Sequence, residues 1–166
     1  MRGVAKDASD SIDAIRAEFR FVESLSIEYQ NNPPSVFASV IGRAAEKLPV
    51  GLVSDGVNKL LSILLGIATF TGGTALVDEF ENGIYYDRLE SFWRTVYAFA
   101  RFNDVQLFAT THSQESLQAL RSVLQNNARD FCLLRAEKSD ASGTSTIRRF
   151  EGEQLVSALT KNGEIR

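Results

Sequence analysis

A chain of 166 residues that is 44% hydrophobic and 23% charged carries enough apolar side chain to bury one globular core, and too much to stay unfolded. A net charge of -3 argues against gripping nucleic acid through bulk positive charge and leaves only a local basic patch open. The single cysteine, Cys132, excludes an intrachain disulfide and suits a reducing, cytoplasmic setting.

The first twenty residues, "MRGVAKDASDSIDAIRAEFR", are too polar for a signal peptide. Ile12, Ile15 and Phe19 instead predict a helix over 7–20. Two β-type runs then flank "NNPP", predicting a hairpin or strand-loop-strand, with Pro33 and Pro34 outside any paired central strand. Pro49 and Gly51 mark a loop. "SDGVNKLLSILLGIATF" reads as a buried central helix, apolar at Leu60, Leu61, Ile63, Leu64, Leu65 and Ile67. Ser54 or Asp55 is placed to cap it, and Gly56 admits close backbone approach. Its apolar run, "LLSILLGIATF", is too short to span a bilayer, so no membrane partner is expected.

"TALVDE" reads as a short buried strand. Leu89, Phe92, Trp93, Val96, Phe99 and Ala100 form a helical stripe between Tyr86 and Phe102, with Trp93 in the core. "DVQLFATTHS" is the next buried strand, and Ser113 caps a helix to about Gln125 with Leu117, Leu120 and Leu124 on one face. "DFCLLRAE", with Cys132 as a small core residue, and "GTSTIRRF" are further strands joined through "KSDASG". "EGEQLVSALTKN" is a terminal helix. Strands alternating with helices predict an α/β fold with a mainly parallel sheet flanked by helices and an antiparallel edge hairpin.

Ligands in such sheets bind beyond the carboxyl ends of the strands. One predicted strand ends in Asp78-Glu79, the other in Thr110-Thr111-His112-Ser113. If the two are parallel neighbours, Glu79 and the only histidine, His112, meet at one rim. An apolar strand ending in Asp-Glu serves to hold Mg²⁺ on the Asp and to orient or deprotonate a water with the Glu. The bland alternative is two solvated acids at a strand end.

"SDGVNK", "TALVDEFENG" and "QLFATTHS" come in that order, with Asp78 22 residues after Gly56 and His112 34 after Asp78. This order and spacing resembles ABC-type ATPases of the SMC, RecF and OLD (overcoming lysogenization defect) branch. There a signature loop, a Walker B strand and a switch histidine follow one another. "DEFENGIYY" is similar to that branch's "DEPENGLHP" or "DEIENGLHY". Phe80 departs from its usual Pro or Ile, and Tyr85-Tyr86 from Leu-His or His-Tyr. The resemblance covers roughly 20–166, is strongest over 52–120, and extends to a closing "KNGEIR" like a natural end in the group.

The resemblance implies the C-terminal half of a P-loop NTPase (ABC ATPase-like) core. It divides into a helix and hairpin lead-in over 1–50, a signature, Walker B and switch region over 51–126, and edge strands with a C-terminal helix over 127–166. It assigns Asp78 to the Mg²⁺ of MgATP, Glu79 as catalytic base and His112 as γ-phosphate sensor. Ser54, Asp55 and Gly56 become the signature loop, facing a nucleotide held by a second subunit in a head-to-tail dimer. Lys59 supports the same phosphate or faces solvent, and Thr111 lies beside it at the switch. Gly83 makes the turn into the next helix, while Glu81 and Asn82 lie in the segment crossing the dimer interface.

The P-loop, G-x-x-x-x-G-K-[ST], is missing from the sequence. Gly51 and Gly56 have its glycine spacing, but Lys59 comes two residues late; Lys6, Lys47, Lys138 and Lys161 have no such context. A truncated piece, a split protein or a shortened gene product would each account for this. The expected partner is then a P-loop-bearing N-terminal half or second ATPase subunit. Alone, the chain should bind ATP weakly and not hydrolyse it. DNA repair or anti-phage defence is the output such families suggest. A catalytically incomplete interaction or regulatory module is the alternative, and a Mg²⁺-dependent nuclease a weaker third. Arg148-Arg149 with Lys161 and Arg166 would make a basic edge if clustered, although scattered surface charge explains them as well.

Overall fold

The computed structural model describes residues 4–29, 33–43, 46–138 and 144–160. Asn31 and Asn32 of "NNPP", the "KSDASG" connection beyond Lys138, and "KNGEIR" with Lys161 and Arg166 lie outside them, as does the Lys6 side chain. The chain forms two compact units, Met1–His112 and Ser113–Arg166.

The first unit begins with α1 (Val4–Glu18), followed by β1 (Val22–Glu28) and β2 (Ser35–Val40). The two strands pair antiparallel from Ser24 opposite Ser39 to Glu28 opposite Ser35, and Pro33 and Pro34 stay outside the ladder as expected. The loop expected at Pro49 and Gly51 is instead structured. Leu48–Pro49 pair with β2 as a two-residue strand β3, and Val50–Val53 form a short helix α2. A proline is tolerated there because an edge strand needs few of its N–H groups.

The central helix, α3 (Asp55–Thr69), buries Gly56, Val57, Leu60, Leu61, Ile63, Leu64 and Ile67, but Leu65 is exposed. Its apolar surface is therefore a wide face rather than a full circumference. Ser54 occupies the N-cap position in extended backbone, yet its side chain makes no capping bond. The expectation of a side-chain cap fails there, and the Asp55 carboxylate in the first turn is left to complement the helix dipole.

β4 (Thr74–Val77) and β5 (Gln106–Ala109) are joined through α4 (Leu89–Phe102) and pair in parallel, Thr74 opposite Gln106 through Val77 opposite Ala109. This pair carries the parallel arrangement the element order predicts. α4 buries the whole expected stripe, Trp93 included. α3 packs against β4. Ala75, Val77, Leu107 and Ala109 are half-buried, whereas Leu76 is 79% and Phe108 48% exposed. The two strands expected to be buried are thus covered on one face only.

The second unit holds α5 (Gln114–Asn127), β6 (Cys132–Lys138), β7 (Ser145–Glu151) and α6 (Gly152–Thr160). β6 and β7 form the expected antiparallel hairpin, Cys132 opposite Glu151 through Lys138 opposite Ser145. Phe150 with Leu120, Val123 and Leu124 of α5 and Leu155, Ala158 and Leu159 of α6 are its buried residues, and Leu117 is half-buried. Cys132 is exposed, against expectation, because strand alternation puts it in phase with exposed Leu134 and Ala136. Arg148 and Arg149 each have a carboxylate beside them. Arg148 lies 3.5 Å from Glu137 and over the Phe150 ring, while Arg149 pairs with Glu151.

Among the described residues no helix is long and apolar enough to cross a membrane.

Candidate active-site rim

Val77 and Ala109 are opposite one another at the ends of β4 and β5, so the residues that follow them leave the sheet at the same place. Thr110 joins the two segments. Its N–H donates to the Val77 carbonyl at 2.9 Å, and its carbonyl accepts from Phe80 N–H at 2.9 Å. Its hydroxyl accepts from Glu79 N–H at 2.9 Å and donates to Asp78 Oδ1. One threonine thereby uses backbone and side chain together to fix where both acids emerge.

Glu79 takes a left-handed backbone at φ +46°, unusual for a residue with a Cβ. The chain turns there, and Phe80 plunges inward. Phe80 is fully buried, stacked on Trp93 with ring centroids 3.7 Å apart and edge-on to Phe92 at 5.1 Å. An apolar residue between Glu79 and Glu81 thus anchors the turn in the core, leaving Asp78 and Glu79 exposed before it and Glu81 half-buried after it. A tight turn follows, with Asn82 N–H donating to Glu79 O and Ile84 N–H to Glu81 O, both at 3.0 Å. The Asn82 amide also donates to Glu79 Oε2.

The start of α3 closes against this turn. Gly83 has φ +79°, and a Cβ there would lie 2.9 Å from Asp55 Cβ. A Cβ on Gly56 would meet the Gly83 carbonyl at 3.2 Å and the Phe19 ring at 3.3 Å. The close approach expected at Gly56 and the turn expected at Gly83 are therefore two sides of one contact. Lys59 sends Nζ to the carbonyl oxygens of Asp78 and Glu79, at 2.9 and 3.1 Å. Asp55, Asn58, Lys59, Ser62, Asn82 and Gly83 line a cleft of about 380 Å³.

On the switch side, His112 N–H donates to Glu81 Oε1 at 3.1 Å. The His112 side chain is exposed and Thr111 is half-buried. Asp78, Glu79, Thr111 and His112 are thus gathered at one sheet end, and Asp55, Gly56 and Lys59 lie against the same turn, with Ser54 at the N-cap position of their helix. The sequence places Thr110 at the strand end without giving it a role, and Glu81 and Asn82 only in the segment after the acids. Their partners are 31 or 32 positions away or across a tight turn, and no local pattern announces them.

For Mg²⁺, the donor on offer is the Asp78 carboxylate. Among the described residues no three His, Cys, Asp or Glu side chains are grouped to hold a metal unaided. This fits an ion bound through one carboxylate together with substrate phosphates, the usual habit of Mg²⁺.

Residues 2–118 match the family described as "AAA domain, putative AbiEii toxin, Type IV TA system". A Helicobacter pylori (strain ATCC 700392 / 26695) protein described as an ATP/GTP phosphatase is 31% identical over 122 residues, 72% of this chain. The chain spans only 30% of the length of that relative. The fold is similar to that of an SMC ATPase studied for ATP-driven dimerization and DNA-stimulated activation, with TM-score 0.62, 11% identity, and coverage of 98% of this chain and 94% of the other. It is also similar to the Pyrococcus furiosus Smc head bound to the C-terminal domain of ScpA, with TM-score 0.63 and 11% identity over 94% of this chain and 37% of the other. With the Asp-Glu turn, the histidine segment and the α3 start assembled at one sheet end, the chain belongs to this AAA domain family, and its fold is similar to that of SMC ATPase heads.

Proposed function

We propose that the chain is the C-terminal part of an ATP-hydrolysing head, completed by a P-loop-bearing half or second subunit. One observation carries the reading: β4 and β5 run parallel in register, so Asp78-Glu79 and Thr110–His112 leave the sheet together, beside the start of α3. In this reading Asp78 holds Mg²⁺, with its carboxylate orientation set by the Thr110 hydroxyl. An ion held by Asp78 would supply positive charge to offset that of the nucleotide phosphates. Glu79 orients the attacking water and accepts its proton, and exposed His112 hydrogen-bonds the γ-phosphate. Thr111 adds a hydroxyl on the same side.

The N–H groups of Asp55 and Gly56 at the start of α3, with the Ser54 side chain beside them, face the phosphate of a nucleotide held by a second head. The pairing is head-to-tail. The Helicobacter pylori relative's description extends the expected substrates to ATP and GTP, and the family's description names a putative toxin of a type IV TA system.

The sequence lacks a P-loop, which favours a second reading: an ATPase-like module kept for interaction or regulation. Complementation separates the two. Adding the P-loop-bearing half should yield hydrolysis that Glu79→Gln abolishes while nucleotide binding persists. Failure to restore hydrolysis leaves the interaction module as the better reading. The chain alone should bind MgATP only weakly; micromolar binding or turnover without a partner would contradict the proposal.

A further inference from the structure

We infer that Lys59 is a positioning residue for Glu79, linking the start of α3 to the geometry of the acid; the inference rests on the ATPase reading above. An ordinary surface lysine pairs with a carboxylate or projects into water. Lys59 does neither with the acids beside it: its ammonium bonds the backbone carbonyl oxygens of Asp78 and Glu79, at 2.9 and 3.1 Å.

Those two carbonyls belong to successive residues. In an extended strand they would point to opposite sides. They converge because Glu79 adopts φ +46°, a conformation that disfavours a residue with a Cβ and that brings two carbonyl dipoles toward each other. A cation between them offsets both penalties and selects this backbone over the extended one. The Glu79 carboxylate is held separately, by the Asn82 amide. Phe80, stacked on Trp93, prevents the next residue from following if the turn relaxes. Among the described residues Lys59 is the α3 side chain that bonds the Glu79 backbone, beside the bonds that Thr110 and Asn82 make to it.

Lys59 lies one turn along the helix whose first residues contact Gly83. A shift at the start of α3 moves the ammonium and releases or tightens the Glu79 turn. Occupancy at the α3 start would thereby govern whether the acid is aligned, through a single side chain and without a longer route.

The test uses the whole chain and its own reporters. ¹³Cα and ¹³Cβ shifts of Glu79 should show left-handed backbone in the wild type and in Lys59→Arg. In Lys59→Met they should move toward extended values. Trp93, the only tryptophan, should keep its emission, because Phe80 stays stacked on it while the Glu79 turn relaxes. In the wild type the Lys59 ammonium should exchange slowly with water, which needs no variant to fold. Unchanged Glu79 shifts in Lys59→Met, or a freely exchanging ammonium, would overturn the inference. In the completed head, Lys59→Met should lower kcat about 10- to 100-fold with KM held within about twofold, and Lys59→Arg should recover most of it. A raised KM at unchanged kcat would make Lys59 a nucleotide ligand instead and also overturn it. If the wild-type completed head does not hydrolyse ATP, the ATPase reading fails, while the shift and exchange measurements still decide the role of Lys59.

Discussion

Three residues outside the acids themselves set the rim, each through a different interaction. Thr110 offers one hydroxyl as donor to Asp78 and acceptor from Glu79 N–H, which valine cannot reproduce and serine can. Thr110→Val should lower kcat of the completed head roughly tenfold and Thr110→Ser should not, as a steady-state comparison will show. Phe80 is a core residue inside an acidic loop. Its truncation to alanine should cost about 3–5 kcal/mol, measurable by urea unfolding, with a change in Trp93 emission from loss of the stack. Gly83 combines φ +79° with a contact that has no room for a Cβ. Gly83→Ala should therefore destabilise by about 1–2 kcal/mol or more in the same assay.

At the scale of elements, the start of α5 shows how capping chemistry is written locally. Ser113 Oγ accepts from Ser116 N–H at 3.1 Å and donates to Glu115 Oε2 at 2.9 Å. Ser113→Ala should cost about 1 kcal/mol in a denaturation experiment. Glu115 is held below the ordinary carboxylate range, first by a hydrogen bond from its own backbone N–H and then by Ser113. A carboxyl whose folded value is depressed contributes stability above its unfolded value and loses it as pH falls through the folded one. The stability gap between wild type and Glu115→Gln should therefore close on acidification and stay open at neutral pH. α3 does not follow this pattern: its N-cap Ser54 makes no side-chain bond, which leaves the first N–H groups of that helix available to a ligand.

For the whole molecule, the informative feature is an apolar sheet face left in water. Leu76 and Phe108 are directly opposite on the outer face of the β4–β5 pair, with Leu76 almost fully solvated. Strands of this kind are normally covered on both faces. The chain also spans less than a third of its Helicobacter pylori relative, so the proposed P-loop half is the natural cover. Leu76→Lys and Phe108→Lys should leave the unfolding free energy of the isolated chain within about 0.5 kcal/mol of wild type, because both side chains are already exposed. The same changes should weaken complementation at least about tenfold, read from the concentration of P-loop half needed for hydrolysis.

The sequence by itself determined what is encoded locally or by fixed spacing. The helical stripe of α4 is periodic in the chain, and the Ser113 cap and the β6–β7 hairpin are bounded by turn chemistry. The ordered motifs ending in Asp78-Glu79 and His112 are short and follow one another at fixed spacing along the chain. Those features depend on neighbours within a few residues or on linear order, so they are legible without coordinates. Tertiary structure alone decided the rest. Cys132 and Leu65 face water, since strand phase and helix rotation are set by what packs opposite. Pro49 joins an edge ladder because β2 presents a partner. Thr110, Glu81, Asn82 and Lys59 acquire their roles from atoms brought together across the β4–β5 rim and from α3. Lys59 reads in sequence as a support for the phosphate or a solvent-facing cation. In the folded chain its ammonium bonds two carbonyls that converge because Glu79 turns left-handed, and no linear pattern specifies that turn.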